Sequence, residues 1–231
     1  MEQVDNRQSV NKLNSLRAAV LGANDGIVSV AGIILGVAGA NHSTSIVFMA
    51  GLAGLLAGAF SMATGEYISV SSQRDTQKAM LENKKFELEN DPEGNFQELI
   101  NLYQKKGLSK KTATLVAQEL TDQDAYKAHI DIELGIDPDD LNNPISAALA
   151  SAISFTIGAL IPLLAITLSP LNWKIPLTFL AVLITLSITG IISAHIGGAK
   201  KTPATLRIIL GGIIAISITY LIGSLIGSHL H

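Results

Sequence analysis

Two acidic side chains lie in long stretches of sequence that carry almost no other charge. Within residues 18–72 the only carboxylates belong to Asp25 and Glu66. A carboxylate at membrane depth is costly unless it faces water, a protein interior or a cation. Met62 precedes Glu66 by four residues and therefore shares its helical face. Carboxylates together with a thioether suit a borderline transition metal such as Fe²⁺ better than Mg²⁺ or Ca²⁺.

Each of these residues also has an interpretation that requires no ion. Asp25 could lie near the membrane surface and cap a helix that begins at Gly26 or Ile27. Met62 could fill a gap in a packed apolar interior. Glu66 could extend toward water from the cytoplasmic end of a span. On the sequence alone, both interpretations stay open for all three residues.

A second set of candidate ligands lies in residues 73–140, which hold 15 of the 19 acidic and 9 of the 16 basic residues. His129 and Glu133 are four residues apart, so both can hold one metal ion from a single helix. Such pairs also arise by chance on an exposed acidic helix, and a solvated surface is the alternative. Because the lysines of this stretch stand beside many acids, no nucleic acid partner is expected.

The chain contains no cysteine, which excludes disulfides, thiolate metal sites and iron–sulfur ligation by its own residues. The sequence also lacks an HExxH motif and a glycine-rich phosphate-binding loop. We therefore expect neither an enzyme nor a prosthetic group. Any metal ion must be bound by oxygen, imidazole or thioether ligands.

The elements that must position these side chains are apolar helices, and about 20 residues are needed to cross roughly 30 Å of hydrocarbon. Five such spans are predicted, at residues 16–40, 45–72, 144–168, 175–196 and 205–228. One side has only Lys174, whereas outside the inserted stretch the other side carries Arg7, Lys12, Arg17, Lys200, Lys201 and Arg207. The positive-inside rule therefore places the amino terminus and the inserted stretch in the cytoplasm. The first 17 residues do not resemble a signal peptide.

The sequence thus divides into residues 1–72 with two spans, 73–141 as an inserted helical domain, and 142–231 with three spans. Capping and helix-breaking residues mark the helices of the inserted domain. The predicted starts are Asp91 with Pro92, Ser109 and Asp122, and the predicted ends are Gly107, Leu120 and Gly135. Three GxxxG pairs let helices approach closely in lipid, and dimerisation through one of them is one interpretation. These pairs are Gly22 with Gly26, Gly32 with Gly36, and Gly54 with Gly58.

The segments LRAAVLGANDGIVSVAGIILGVAGA at 16–40 and GLAGLLAGAFSMATGEYISVSSQRDTQKA at 51–79 resemble the paired motifs of the vacuolar iron transporter family, including its bacterial members. The resemblance is close over these segments and looser over the later helices. It implies a homodimer whose interface encloses the ion path and proton-coupled export of Fe²⁺ from the cytosol, with Mn²⁺, Co²⁺ and Zn²⁺ as related ions. It also implies that Asp25 and Met62 line the path, with Glu66 near its cytoplasmic mouth.

The same resemblance identifies the inserted domain with a cytoplasmic domain that collects metal ions before translocation. Glu87, Glu98 and Glu133 fall where metal-binding glutamates are expected. Lys84 and Asn95 stand where the resemblance leads us to expect further acidic residues. Fewer metal sites are therefore expected in this domain.

The sequence predicts an all-α polytopic membrane protein with five transmembrane helices and a small cytoplasmic helical domain between the second and third. The predicted function is export of a divalent metal by proton antiport through a homodimer in lipid. A metal-regulated membrane sensor or scaffold and a passive divalent cation channel are the alternative functions. A bacterial plasma membrane is expected, with an organellar membrane as the alternative.

Overall fold

A computed structural model describes the backbone of residues 2–40, 43–138 and 141–230 and the side chains of residues 18–40, 43–138 and 141–229. All regular elements in these ranges are helical. The chain forms two compact units. The apolar unit combines Met1–Ile68 with Pro144–His231, and the inserted unit is Ser69–Asn143.

The apolar unit contains the helices that are long and apolar enough to cross a membrane, and the prediction of five spans is confirmed. These helices are α1 (Glu2–Ala40), α2 (Thr44–Asn90), α5 (Pro144–Leu168), α6 (Lys174–Ile196) and α7 (Lys201–Leu230). Helix α1 begins at Glu2, well before the predicted start of its span. Helix α2 belongs to both units, because its residues from Ser69 onward are part of the inserted unit.

Helix α1 lies at the centre of the apolar unit, against α5, α6 and α7. Its buried side chains alternate between two apolar clusters. Val30 and Ile34 pack with residues of α2 and α5. Ala31 and Leu35 pack with residues of α6 and α7. A helix with apolar residues on several faces is expected in this central position, because those faces meet other helices.

Glycines allow the backbones of these helices to come close together. A Cβ atom at Gly26 would overlap the carbonyl oxygen of Phe155 in α5. One at Gly223 of α7 would overlap the carbonyl oxygen of Gly36 in α1. The third GxxxG pair, Gly54 with Gly58, faces side chains of the same chain. All three pairs therefore pack within one subunit, which corrects the interpretation that one of them mediates dimerisation.

The inserted unit contains the second part of α2, followed by α3 (Pro92–Lys105), α4 (Lys110–His129) and a π-helical turn (Ile130–Leu134). Its predicted helix boundaries are largely confirmed. The Asp91 side chain accepts a hydrogen bond from the N–H of Gly94 at 2.8 Å, and Ser109 caps α4 in the same way. Gly107 and Gly135 have φ values of 98° and 61°, as glycines that end helices often do.

The predicted break near Asp122 lies two residues later. Helix α4 as a whole continues to His129, but its backbone leaves helical geometry at Asp124, with φ −164° and ψ 95°. The Asp124 side chain accepts a hydrogen bond from the N–H of Lys127 at 2.9 Å and so caps the helical segment that follows. The last part of α4 can therefore take a different direction from its first part.

Candidate metal sites

The inserted unit brings together two carboxylates and an imidazole that the sequence predicts as metal ligands. Glu98 of α3, His129 of α4 and Glu133 of the π turn each place one ligand atom within 4.8 Å of the others. Nδ1 of His129 also forms a hydrogen bond with Oε1 of Glu133. Oxygen and imidazole ligands in such a group suit a divalent transition metal.

A lysine reaches into the same group of side chains. Nζ of Lys84 lies 2.7 Å from Oε2 of Glu133 and 2.9 Å from Oε2 of Glu87. It lies 3.6 Å from Oε2 of Glu98. All four ligands predicted in the inserted domain therefore belong to one carboxylate cluster, which comprises Glu87, Glu98, His129 and Glu133 around Lys84. From the sequence, Lys84 counted only as the loss of a ligand, and its place at the centre was missed.

The carboxylate cluster is open to solvent on one side and closed on the other. The side chains of Glu87 and Glu98 are 56 % and 52 % exposed. Those of Glu133, Lys84 and His129 are 14 %, 8 % and 1 % exposed. Glu87 and Glu98 also line an open groove of about 730 Å³. A cation arriving from solvent would therefore meet Glu87 and Glu98 before the inner residues.

Lys84 lies in the charged second part of α2, outside the membrane-spanning segment, and its charge is stabilised by these neighbours. Burial lowers the pKa of Lys84, but hydrogen bonds to Glu133 and Glu87 and the charges of Glu133 and Glu98 outweigh it. The net effect raises the pKa of Lys84 above its ordinary value. The stabilisation is therefore fully present below the ordinary lysine pKa, and the ammonium stays charged at neutral pH.

Local structure explains how these residues meet. Lys84 and Glu87 are one helical turn apart on α2. The hydroxyl of Tyr126 donates a hydrogen bond to the carbonyl oxygen of Leu81 at 3.3 Å, which fixes the end of α4 beside α2. The π-helical turn then begins directly after His129 and carries Glu133. Turns of this kind are frequent at functional sites.

Asn95, the second residue found where an acid was expected, has a structural role. Its side chain is buried, and its amide nitrogen donates hydrogen bonds to the carbonyl oxygens of Asp91 at 2.7 Å and Glu87 at 3.1 Å. These bonds close the turn between α2 and α3. An ionised carboxylate has no hydrogen to donate to these carbonyls. The amide therefore stabilises the turn that positions Glu87 and Glu98.

In the apolar unit, Asp25 lies well inside α1, which continues for more than three turns on either side. The interpretation that Asp25 caps a helix beginning at Gly26 or Ile27 is therefore wrong. The Asp25 side chain is exposed and lines a cleft of about 320 Å³, which is also lined by Arg207 of α7. The cleft leaves space beside this carboxylate, although α1 is the central helix.

Met62 and Glu66 lie one turn apart on α2, and both are partly buried. Met62 packs against the apolar cluster that contains Val30 and Phe155, as the packing interpretation predicts. Among the residues whose side chains are described, neither Asp25 nor Glu66 belongs to a group of three acidic or histidine ligands. Within one subunit, Asp25 and Glu66 therefore do not form a metal site comparable with the carboxylate cluster.

A central apolar helix with a carboxylate, four further helices long enough to span a membrane and an acidic helical insertion are the features of a polytopic membrane protein. The model of the VIT family matches residues 16–224, and the chain belongs to that family. This confirms the resemblance noted in the sequence. The chain is an integral membrane protein of a family of iron transporters.

Several relatives cover nearly the whole chain. It is 44 % identical over 211 residues to a vacuolar iron transporter of Acanthamoeba castellanii, covering 91 % of this chain and 78 % of that protein. It is 34 % identical over 215 residues to vacuolar iron transporter homolog 1 of Oryza sativa subsp. japonica, covering 93 % and 75 %. It is 31 % identical over 229 residues to vacuolar iron transporter homolog 2.1 of Arabidopsis thaliana, covering 98 % and 87 %.

Proposed function

We propose that this protein exports Fe²⁺, or a related ion such as Mn²⁺, from the cytosol in exchange for protons, and that Asp25 is the exchanging carboxylate. The observation that carries this proposal is the position of Asp25. It is an acidic residue seven residues inside the span that begins at Ala18, and its side chain lines a cleft. An ionisable residue in such a place is costly, and a role in ion movement accounts for its presence.

Exchange follows from the chemistry of a single carboxylate. An ionised Asp25 attracts a divalent cation, whereas protonation removes the charge that holds the cation. A proton arriving from the far side of the membrane and a metal ion arriving from the cytosol therefore compete for one group. This competition links metal export to proton entry and needs no second binding site.

A homodimer completes the ion path in this proposal. Only 17 % of the apolar window of α2 is buried inside the subunit, which leaves much of this helix to a second copy. Among the described side chains, a single subunit does not combine Asp25 and Glu66 into one group of ligands. A second copy packed along α2 would add its own Met62 and Glu66 to the path. In this arrangement Met62 supplies a thioether to the passing ion, and Glu66 lies near the cytoplasmic mouth.

The proposed orientation places the amino terminus and the inserted unit in the cytoplasm, where the inserted unit collects metal ions. Lys200 just before α7, and Lys201 and Arg207 in its first two turns, support this orientation through the positive-inside rule. The side chains of Arg7, Lys12 and Arg17, which also entered the prediction, lie outside the described residues. We propose a bacterial plasma membrane as the location, with an organellar membrane as the alternative, since the relatives are named for the vacuole.

The carboxylate cluster favours a second candidate function, a membrane sensor or scaffold in which the inserted unit binds metal and nothing crosses. A proteoliposome experiment separates the candidates. With Mn²⁺ at equal concentration inside and outside, we expect an imposed proton gradient to drive net Mn²⁺ movement opposite to the protons. With the membrane potential clamped, a passive channel would show no net Mn²⁺ movement in response to the proton gradient. A sensor would move no Mn²⁺ at all.

A further inference from the structure

The carboxylate cluster of the inserted unit already contains a cation, the ammonium group of Lys84. Oxygen atoms of three glutamates surround Nζ at 2.7, 2.9 and 3.6 Å. These glutamates come from α2, α3 and the π turn, so they converge on this point only in the folded unit. Divalent metal ions are bound by carboxylates arranged in the same convergent way.

We propose that Lys84 sets the metal affinity of the carboxylate cluster, because its ammonium group occupies the position that a divalent cation would take. This inference rests on the proposed function of the inserted unit as a metal collector. It assigns to Lys84 the role of a tethered competitor, which a metal ion must displace before the inner ligands can bind it.

The contacts of Glu133 show why displacement is required. Its Oε2 atom pairs with Lys84, and its Oε1 atom forms a hydrogen bond with Nδ1 of His129. Both oxygens of the innermost carboxylate are therefore engaged. A metal ion that binds Glu133 through either oxygen must therefore compete with Lys84 or His129 for that atom.

Charge gives a second reason. An ammonium and a divalent cation repel each other strongly at the short distances of one ligand cluster, where solvent screening is weak. The Lys84 side chain is only 8 % exposed, so water screens its charge less than it would at the surface. Glu87 and Glu98 face solvent and can still attract ions, but only at the surface of the cluster.

The cluster is therefore organised without a metal ion, and its affinity for one is kept low. Removing the ammonium should leave three carboxylates and an imidazole without their internal cation. A divalent metal can then bind with more ligands and with less repulsion. The expected result is a gain of metal binding from the loss of a lysine.

The test compares Lys84→Gln with Lys85→Gln in the full-length protein in detergent. Both variants remove one positive charge from adjacent positions of α2, and Lys85 is exposed. Titration with Mn²⁺, followed by calorimetry, should show at least about tenfold tighter binding for Lys84→Gln than for the wild type. Lys85→Gln should bind like the wild type. Equal affinities for the two variants would overturn the proposal.

A third variant locates the gained site. Adding Glu133→Gln to Lys84→Gln should remove the tighter Mn²⁺ binding, because Glu133 is the innermost carboxylate of the cluster. Tighter binding that persists in the double variant would place the gained site elsewhere and contradict the inference. These measurements concern metal binding to the inserted unit alone. The inference about Lys84 can therefore fail while transport through Asp25 is demonstrated, and it can succeed while that transport is not found.

Lys84→Met covers the case in which Lys84→Gln does not fold, since Met keeps an apolar stem of similar length. Without metal, the uncompensated carboxylates should lower its unfolding temperature relative to the wild type. Mn²⁺ should restore that temperature, and should raise it more than it does for the wild type. A Met variant that Mn²⁺ does not stabilise more than the wild type, or that stays unfolded with Mn²⁺ present, would show that a metal cannot replace the ammonium.

Discussion

Gly26 of α1 packs directly against the backbone of Phe155 in α5, and no side chain would fit between the two helices at this point. A Cβ atom at Gly26 would overlap the carbonyl oxygen of Phe155 and would lie 3.1 Å from the backbone nitrogen of Ala159. This contact fixes the rotation of α1 about its axis. Because Asp25 is the preceding residue, the contact also determines which side of α1 presents the carboxylate.

Gly26→Ala should therefore lower the stability of the protein. The added methyl group must push α1 away from α5, and overpacking of this kind costs about 1–3 kcal/mol. The unfolding temperature of the purified protein in detergent measures the effect. Gly65→Ala is the matched control, because a Cβ atom there would meet no atom within 4 Å. A Gly26 variant as stable as the Gly65 variant would contradict the close packing of α1 and α5.

Asn95→Asp should destabilise the turn between α2 and α3. The substitution keeps the shape of the side chain but removes the donors to the carbonyl oxygens of Asp91 and Glu87. The two carbonyl oxygens keep their backbone hydrogen bonds, but the carboxylate would repel both of them, and each side-chain hydrogen bond lost costs about 0.5–1.5 kcal/mol. The free energy of unfolding, measured with a denaturant, should fall for this variant and stay unchanged for Asn101→Asp on the exposed surface of α3. Equal stabilities would mean that Asn95 does not hold the turn.

Met62→Leu should slow the transport of Fe²⁺ while leaving the protein folded. Leucine keeps the apolar contacts of Met62 with its cluster, and it removes the sulfur that we propose as a ligand. Transport rates in liposomes give the measurement, and Met49→Leu on the exposed face of the same helix is the control. If both variants transport at the wild-type rate, Met62 has a packing role only.

Much of the fold could be predicted because its signals are local. The apolar spans follow from hydrophobicity along the chain, and the helix boundaries in the inserted unit follow from Asp91, Ser109, Gly107 and Gly135. Each of these residues acts on backbone groups within a few positions of itself. The break in α4 lies at Asp124 and not at the predicted Asp122. A carboxylate at either position can cap a helix, and tertiary packing decides between them.

The place of Lys84 could not be predicted in the same way. Only its pairing with Glu87 follows from helical spacing, and Glu98 and Glu133 come from elements far along the chain. The π-helical turn that carries Glu133 has no recognisable signal in the sequence. The candidate ligands were therefore identified by type and position, whereas the cation among them emerged only from the folded arrangement.

Exchange of a metal ion for a proton at Asp25 is tested most directly by Asp25→Asn. This substitution removes the charge and keeps the size of the side chain. Asp75→Asn, on the exposed second part of α2, is the matched control. In proteoliposomes with an imposed proton gradient, Mn²⁺ transport by Asp25→Asn should fall to the rate of protein-free liposomes, while Asp75→Asn should retain the wild-type rate. Proton-driven Mn²⁺ transport at the wild-type rate by Asp25→Asn would contradict the proposed mechanism.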